Sequence, residues 1–501
     1  MSPGVTACAT VSQHRRFRGP GLRLGHRPVT GDPVCPRLLI QSTGAMSAMR
    51  VLHAIHDFLP RHRAGAEIYA AALCRELGRR HHVTIVAADY DPACPHGELR
   101  WRLHDGLSVV EVVNNWQGAF TDSYRSPLIT RRLEQLLDVV RPEILHVHSL
   151  LNLSLDLPAL ARRRGIEVVG TLHDYTLVCP SGGQRLHRAE AHVCHDIEPE
   201  RCARCFSQSV FHAKLAAGAV SSTAATRRAA AALRTHAPRL ATLASRAAGA
   251  AAVPIRPTDI TARLDAARAA IDAFSMLVSP SESMAEEYRR LGVPPDRLRV
   301  SDYGFAPQPR VTRLAQPGQP LRAAYMGTLV WHKGVHVILD ALRHLPHDAI
   351  EVTIFGEPRV SPDYVSALQR QAAGLAVRFA GAFDDGQRAA LLACVDVLIV
   401  PSLWLENSPL VIHEAFMAAV PVIASRIGGI TGLVDDGVNG LLVEPGSAAA
   451  LAAALRKVCA DPALLQRLSA NAPAVKTIAQ DASEWEARYV EVLGKRQAPA
   501  D

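Results

Sequence analysis

Val397-Leu398-Ile399-Val400-Pro401-Ser402-Leu403-Trp404-Leu405-Glu406-Asn407-Ser408-Pro409-Leu410-Val411-Ile412-His413-Glu414-Ala415 decides more about this chain than any other stretch. An apolar, β-branched run ends at a turn, and a helix is expected to begin within a few residues. Ser408 is the expected cap of that helix and Pro409 its expected first residue, where a missing N–H costs nothing. A helix start facing the end of a buried strand offers free N–H groups to an anion such as phosphate. Glu406 stands just before the helix and Glu414 inside it. At a rise of ~1.5 Å per residue the eight-position gap separates their carboxylates by at most ~12 Å. That span suits a ligand with hydroxyls at two ends and phosphate between, the shape of a sugar nucleotide. Two glutamates at this spacing are by themselves most often structural or solvated. Here the buried strand, the turn and the apolar helix around them favour a binding role.

Outward from this stretch, short apolar runs alternate with amphipathic helical ones. Strands are expected at 50–55, 83–87, 108–113, 144–147 and 167–171, with helices at 66–80 and 127–140. The alternation resumes at 322–327, 351–355, 376–379, 396–400, 421–424 and 440–443. This is the pattern of doubly wound parallel sheets, an α/β class. At 501 residues the chain exceeds one ordinary core.

The Glu406–Glu414 arrangement resembles the E-x7-E motif of the retaining glycosyltransferases of family 4, which have the GT-B fold. The resemblance covers roughly residues 50–490. It implies two Rossmann-like domains facing a cleft: an N-terminal acceptor domain at 49–305 and a C-terminal donor-nucleotide domain at 321–480. A Pro/Gly-rich hinge is expected near 305–320, and a helix at 482–493 should return to the first domain. The resemblance assigns Glu406 to the donor sugar and Glu414 to the ribose hydroxyls, with Asn407, Ser408, Pro409 and Leu410 beside the donor. Gly327-Thr328-Leu329…Lys333-Gly334 is similar to the family's Gly-Arg-Leu…Lys-Gly segment, whose cations hold the diphosphate. Lys333 matches the lysine. Thr328 replaces the arginine, and a hydroxyl is no substitute for a bidentate guanidinium. Ala64-Gly65-Ala66-Glu67 looks like the Gly-Gly-Ala-Glu loop, where Gly65 lets the backbone approach a phosphate.

Gly170-Thr171-Leu172-His173-Asp174 ends a strand where parallel sheets present ligands. By resemblance, His173 faces the donor sugar across the cleft from Glu406. Asp174 either orients the imidazole or contacts the acceptor. His146 and His148 either line the same cleft or pack. Ile427-Gly428-Gly429-Ile430 and Asp435-Asp436-Gly437-Val438-Asn439-Gly440 resemble loops flanking the donor pocket. The family needs no bound cation for catalysis, so no catalytic cofactor is expected, and front-face substitution with retained configuration is implied.

Cys179, Cys194, Cys202 and Cys205 cluster, ending in Cys-x-x-Cys. In a reducing compartment four such thiols favour a structural zinc clip over free thiols or disulfides. A branch of the family has a similar His-Asp…Cys-Pro…Cys…Cys-x-x-Cys run, beside the acceptor side.

The formal charge of +8 is unevenly distributed. Residues 1–48 hold six arginines and one acid, and residues 207–270 hold nine cations and two acids, which leaves the rest net acidic. The first segment has no apolar core fit for a signal peptide and is expected to be a disordered leader, or an over-long start ahead of Met46 or Met49. The second, an Ala/Arg-rich helical insertion spanning 207–273, repeats arginine at seven-residue intervals: Arg227/Arg234, Arg239/Arg246, Arg256/Arg263. A solvated helical face is the commoner explanation of such spacing, and contact with anionic lipid is the competing one. No known nucleic-acid module accompanies the charge. Without an apolar run of membrane-spanning length, a cytoplasmic location is expected, extending to the inner membrane face if lipid is bound.

Together these readings imply an enzyme that moves a sugar from a nucleotide-diphosphate donor to a glycan, lipid-linked or small-molecule acceptor. Two alternatives stay open. One is a sugar-nucleotide 2-epimerase of the same fold; the other is a non-catalytic, zinc-clipped scaffold.

Overall fold

The computed structural model describes residues 47–497, apart from 92, 221–223, 238–239, 242, 244–253 and 310–318. The anticipated leader and most of the anticipated hinge therefore lie outside the described residues.

Two α/β lobes carry the fold. In the N-terminal lobe the strands are β1 (Arg50–Ile55), β2 (His82–Asp89), β3 (Leu99–His104), β4 (Leu107–Val113), β5 (Ile144–Val147), β6 (Glu167–Thr171), the small hairpin β7 (Leu186–His187) and β8 (His192–Val193), then β9 (Met276–Ser279) and β10 (Leu298–Val300). The C-terminal lobe has β11 (Leu321–Met326), β12 (Ile350–Phe355), β13 (Val377–Gly381), β14 (Val397–Val400), β15 (Val422–Ser425) and β16 (Gly440–Val443). The eight-stranded sheet runs β10-β9-β6-β5-β1-β2-β4-β3, and the six-stranded sheet β13-β12-β11-β14-β15-β16. Both orders reverse direction beside the first strand of the lobe, which is where open parallel sheets leave a crevice at their carboxyl ends.

The central strands are apolar throughout because helices cover both faces. In β14 all four residues are buried, as they are in β5, β9 and β15. β3 is the exception. It is antiparallel to β4 and was not among the expected strands. Its residues are mostly charged or partly exposed, so no apolar run announces it. The signal it does carry is Asp105-Gly106, both at positive φ (48° and 80°), the chemistry of a tight two-residue hairpin.

The lobes are joined twice. Phe305 bridges to Thr477, so the two crossing segments run side by side, and a Cβ on Gly304 would sit 2.5 Å from that of Asp481. The last helix, Ile478–Gln497, lies on the N-terminal lobe. Trp485, Tyr489 and Val492 are buried there with Leu73, Leu77 and Ile144, and Tyr69 donates to Asp481 at 2.8 Å.

The insertion is helical at Val210–Val220, Ala224–His236 and Pro257–Asp272, and the helix Pro199–Ser207 precedes it. One expected basic pair does not form a surface face. Arg256 precedes its helix, and Arg263 is 4% exposed with its guanidinium donating to the Thr176 carbonyl at 2.5 Å. The helix packs on Pro199–Ser207 and turns that arginine inward. The side chains of Arg227, Arg234, Arg239 and Arg246 lie outside the described residues.

Candidate active site between the lobes

The site is built where β14 ends. Leu403 N–H donates to the His332 carbonyl at 2.8 Å, holding the β14 turn against the loop after β11. Gly334 makes this possible: its φ is 74°, and a Cβ there would meet the Pro401 oxygen at 1.9 Å. Lys333 is thereby delivered to Glu406, with Nζ 2.6 Å from Oε1. The same oxygen accepts from Ser402 Oγ at 2.6 Å. Glu406 is 2% exposed, and a carboxylate so deeply set requires a cation and a hydrogen bond of this kind. Lys333 Nζ also lies 5.2 Å from the Trp404 ring centre.

The helix after the turn runs Leu410–Met417 and is capped by Pro409, not by Ser408. Ser408 is turned away into the lobe junction. Its Oγ donates to Asp302 Oδ1 at 2.7 Å and lies 2.9 Å from His413 Nε2, which is itself 3.2 Å from Asp302 Oδ2. These partners hold the linker to the C-terminal lobe, and the hydroxyl is 1% exposed. Because the helix starts at Leu410, the Glu406–Glu414 interval is only partly helical. Glu414 is buried and its Oε1 meets Arg388 Nη1 at 2.7 Å, on the short helix Arg388–Leu392. Sequence reasoning missed Arg388. The available signal was Glu414 itself, since a carboxylate on an apolar helix needs a buried cation nearby. Thr328 is exposed, so this part of the lobe carries Lys333 and Arg388, each paired with a carboxylate.

Ile427-Gly428-Gly429 lies directly on the Glu406–Asn407 backbone: Gly429 N–H donates to the Glu406 carbonyl at 2.7 Å. A Cβ on Gly429 would be 1.6 Å from the Asn407 oxygen and 2.7 Å from Ser281 Oγ of the opposite lobe. Asp435 and Asn439 instead line a cavity of about 600 Å³ with Asp302, His413 and Lys476, behind the Leu410–Met417 helix.

Across the junction, Gly65 is exposed at the start of the helix Gly65–Leu77, and a Cβ there would touch the Leu410 side chain at 3.3 Å. Two helix N-termini, one per lobe, thus meet at one point, and their unpaired N–H groups favour an anion.

His173 differs from expectation. Its Nε2 is 2.9 Å from His148 Nδ1, and its Nδ1 is 2.9 Å from the Tyr303 hydroxyl. His148 continues to His53 at 3.0 Å. His146, 4.4 Å from His148 between ring centres, is held by Thr171 and Tyr489 at 2.8 and 2.7 Å. These imidazoles are buried and both ring nitrogens of His173 are taken, while His53 Nε2 has no hydrogen-bond partner. Burial holds His53 and His173 down to about 3, so they are neutral at ordinary pH. What His173 offers across the cleft is its main-chain carbonyl, which accepts from Asn407 Nδ2; that amide also donates to Tyr303 at 3.1 Å. Asp174 does not orient the imidazole. Its carboxylate accepts the Thr176 N–H at 2.7 Å.

Cys179, Cys194, Cys202 and Cys205 line one cavity of about 30 Å³, beside Arg185, His187 and Arg201. Helix Pro199–Ser207 sets Cys202 and Cys205 one turn apart. Burial and the neighbouring thiols push Cys194 up to about 11 and Cys202 up to about 12. Four facing thiols without a cation are mutually unfavourable as thiolates, and an all-sulfur donor set suits zinc.

Comparison with known proteins identifies the fold and the family models that the chain matches. Residues 63–205 match the family model "Glycosyltransferase Family 4", and residues 312–475 match "Glycosyl transferases group 1". The chain is 33% identical over 196 residues to glycogen synthase of Mycobacterium tuberculosis, covering 38% of this chain and 47% of that protein. It is 35% identical over 149 residues to phosphatidyl-myo-inositol mannosyltransferase of Mycobacterium leprae, covering 29% and 38%. The matched stretches thus span about half or less of these relatives. Among solved structures, Anabaena HepE in complex with UDP and glucose superposes with a TM-score of 0.56 at 16% identity, over 88% of this chain and 99% of that one. The catalytic domain of Arabidopsis thaliana starch synthase IV, bound to ADP and acarbose, gives 0.56 at 15% identity, over 89% and 100%. At such identity these likenesses establish the fold, GT-B.

Proposed function

The chain belongs to glycosyltransferase family 4, and we propose that it transfers a sugar from a nucleoside-diphosphate donor to a hydroxyl acceptor with retained configuration. The observation that carries this reading is the doubled ion pair, Lys333–Glu406 and Arg388–Glu414, beside two converging helix starts. Each carboxylate is paired with a cation, so each is poised to accept hydrogen bonds from the hydroxyls of a sugar or a ribose. The donor diphosphate would lie alongside the helix starts at Gly65 and Leu410, where main-chain N–H groups and Lys333 take up the charge that develops on the leaving group. For Lys333 to turn to phosphate it must loosen from Glu406, which frees Glu406 for the sugar. Binding of the donor thus exchanges one partner for another at both residues. Neither ring nitrogen of His173 is free to receive the acceptor's proton, so a leaving phosphate oxygen is the base this reading assigns.

The named relatives favour transfer over epimerisation, and the intact carboxylate–cation pairs argue against a degenerate scaffold. The relatives' names run from glycogen through phosphatidyl-myo-inositol to D-inositol 3-phosphate, which leaves glycan, lipid-linked and small-molecule acceptors equally supported. The cysteine cavity is read as a structural zinc clip bracing the acceptor lobe. Leu240 and Leu243 of the insertion are exposed, at 58% and 61%, in an arginine-rich segment, which supports peripheral contact with anionic membrane at the cytoplasmic face. No helix among the described residues is long and apolar enough to cross a membrane.

The test is product analysis. UDP-, GDP- and ADP-sugars are incubated with the protein and candidate acceptors, and the anomeric proton of the product is read by NMR. A new glycoside with the donor's configuration is expected. Inverted product, or donor isomerised without acceptor, would overturn the reading.

A further inference from the structure

A second constellation lies on the N-terminal lobe, beside the helix start at Gly65, and its imidazoles have no part in the donor reading. His56 follows β1, His62 lies in the loop beyond it, and Glu67 is in the first turn of the helix Gly65–Leu77. His56 Nε2 and His62 Nδ1 each lie 3.2 Å from the same oxygen, Glu67 Oε1. All three atoms fall within 4.8 Å of one another. The other oxygen of Glu67 is already committed, accepting the Ala64 N–H at 2.9 Å.

An ordinary histidine–glutamate ion pair explains this poorly. The Glu67 side chain is fully buried, and its Oε1, the charge partner of His62, is shared with His56 without a well-aligned hydrogen bond to both. His56 Nδ1 is also buried without a hydrogen-bond partner. A buried carboxylate oxygen left in this state costs roughly 1–3 kcal/mol or more, so something should satisfy it. The separations fit an ion. Ligands at about 2.0–2.1 Å from one metal stand about 3.0 Å apart in octahedral and about 3.4 Å apart in tetrahedral geometry. The two histidine–glutamate separations, both 3.2 Å, lie between these values, and the two imidazole nitrogens are within 4.8 Å of each other.

We propose that His56, His62 and Glu67 bind a divalent first-row transition ion on the acceptor lobe's side of the cleft. Two imidazoles and one monodentate carboxylate form a mixed nitrogen–oxygen donor set, which suits zinc, cobalt or manganese better than magnesium or calcium. Three protein ligands leave positions open, as in a catalytic rather than a closed structural site. His62 is 48% exposed along its side chain, so the open side faces solvent, where an acceptor hydroxyl or phosphate oxygen can reach. Asp57 and Asp174 add negative charge nearby, against which Lys214 is the adjacent cation. The proposal does not rest on the transfer reading, since the ion is held whether or not a sugar moves.

The test is binding of Co2+ to the metal-stripped full chain, followed by calorimetry and by absorption. Cobalt at the four cysteines gives thiolate-to-metal bands in the near ultraviolet, and cobalt at His56/His62/Glu67 does not. The expected result is one Co2+ per chain that contributes no thiolate bands, additional to any held by the four cysteines, and retained in Cys202→Ser. Its affinity should fall at least tenfold in His56→Ala and in His62→Ala. Glu67 also closes the helix start, so Glu67→Gln could unfold the lobe; the half-exposed His62 is therefore the deciding position. Unchanged affinity in His62→Ala, or cobalt bound with thiolate bands only, would overturn the proposal.

Discussion

Replacing Lys333 by Met removes the cation from a carboxylate that is almost wholly buried. The pair is 2.6 Å apart, with side chains 26% and 2% exposed. At an effective dielectric constant of ~20 the gross attraction is about 6 kcal/mol, most of which offsets the cost of desolvating both ions. Intact, the pair adds little to stability. Broken, it leaves Glu406 charged and buried, which costs about 3–5 kcal/mol where no other partner remains. Ser402 still donates to the same oxygen, so the low end, about 3 kcal/mol, is expected. For a lobe of this size that lowers the melting temperature by about 6–12 °C. Adding Glu406→Gln removes the stranded charge, so the double variant should lie within about 1 kcal/mol of Glu406→Gln alone. Urea unfolding of the four proteins closes the cycle, with a coupling near ~2 kcal/mol. If Lys333→Met melts within about 2 °C of the parent, or the two changes simply add, the pair is not what holds Glu406 in its pocket.

Other outcomes follow from the same geometry. Glu406→Gln releases Lys333, so nucleoside diphosphate should bind several-fold more tightly while sugar transfer collapses; calorimetry and turnover measured together would show weaker binding if this is wrong. Gly429→Ala drives a Cβ to 1.6 Å from the Asn407 oxygen, a backbone contact that cannot yield, and should cost about 3 kcal/mol or more in urea unfolding. His53, His146, His148 and His173 are buried neutral, with protonation depressed below the unfolded value near 6.5. Their stabilisation is therefore complete above about pH 6.5. It is lost as pH falls from there towards about 3, at up to about 1.4 kcal/mol per pH unit for each imidazole. Unfolding at pH 7.5, 6.5 and 5.5 should show that slope, and His148→Gln should flatten it; equal stability at all three pH values would contradict it.

Much of the architecture was legible because parallel sheets impose a simple code. Runs such as Val397–Val400 and Val422–Ser425 are apolar on both faces, and only a strand between two helix layers requires that. β3 escaped because an edge strand owes its place to pairing and a turn, not to burial. At the site, Glu406, Glu414, Lys333 and Gly65 could be picked out from spacing and from resemblance. Their partners could not. Arg388 reaches Glu414 through a tertiary contact that no local pattern encodes, and Ser402, four residues before Glu406, carries no motif of its own. Ser408 illustrates the converse: its neighbours suggest a helix cap, but Asp302 and His413 compete successfully for its hydroxyl. His173 misled for a related reason. A histidine at a strand end is read as a ligand-facing group, whereas here His173 is bonded to His148 and Tyr303, in a buried group of four stacked imidazoles inside the lobe.

The central claim is that buried acids of the C-terminal lobe grip a nucleotide-activated sugar. Thermal shift with UDP-, GDP- and ADP-sugars on the parent and on Glu414→Ala tests it most directly. One nucleotide should raise the parent's melting temperature by several degrees and leave the variant unmoved. Equal stabilisation of both proteins, or none of either by any nucleotide sugar, would contradict it.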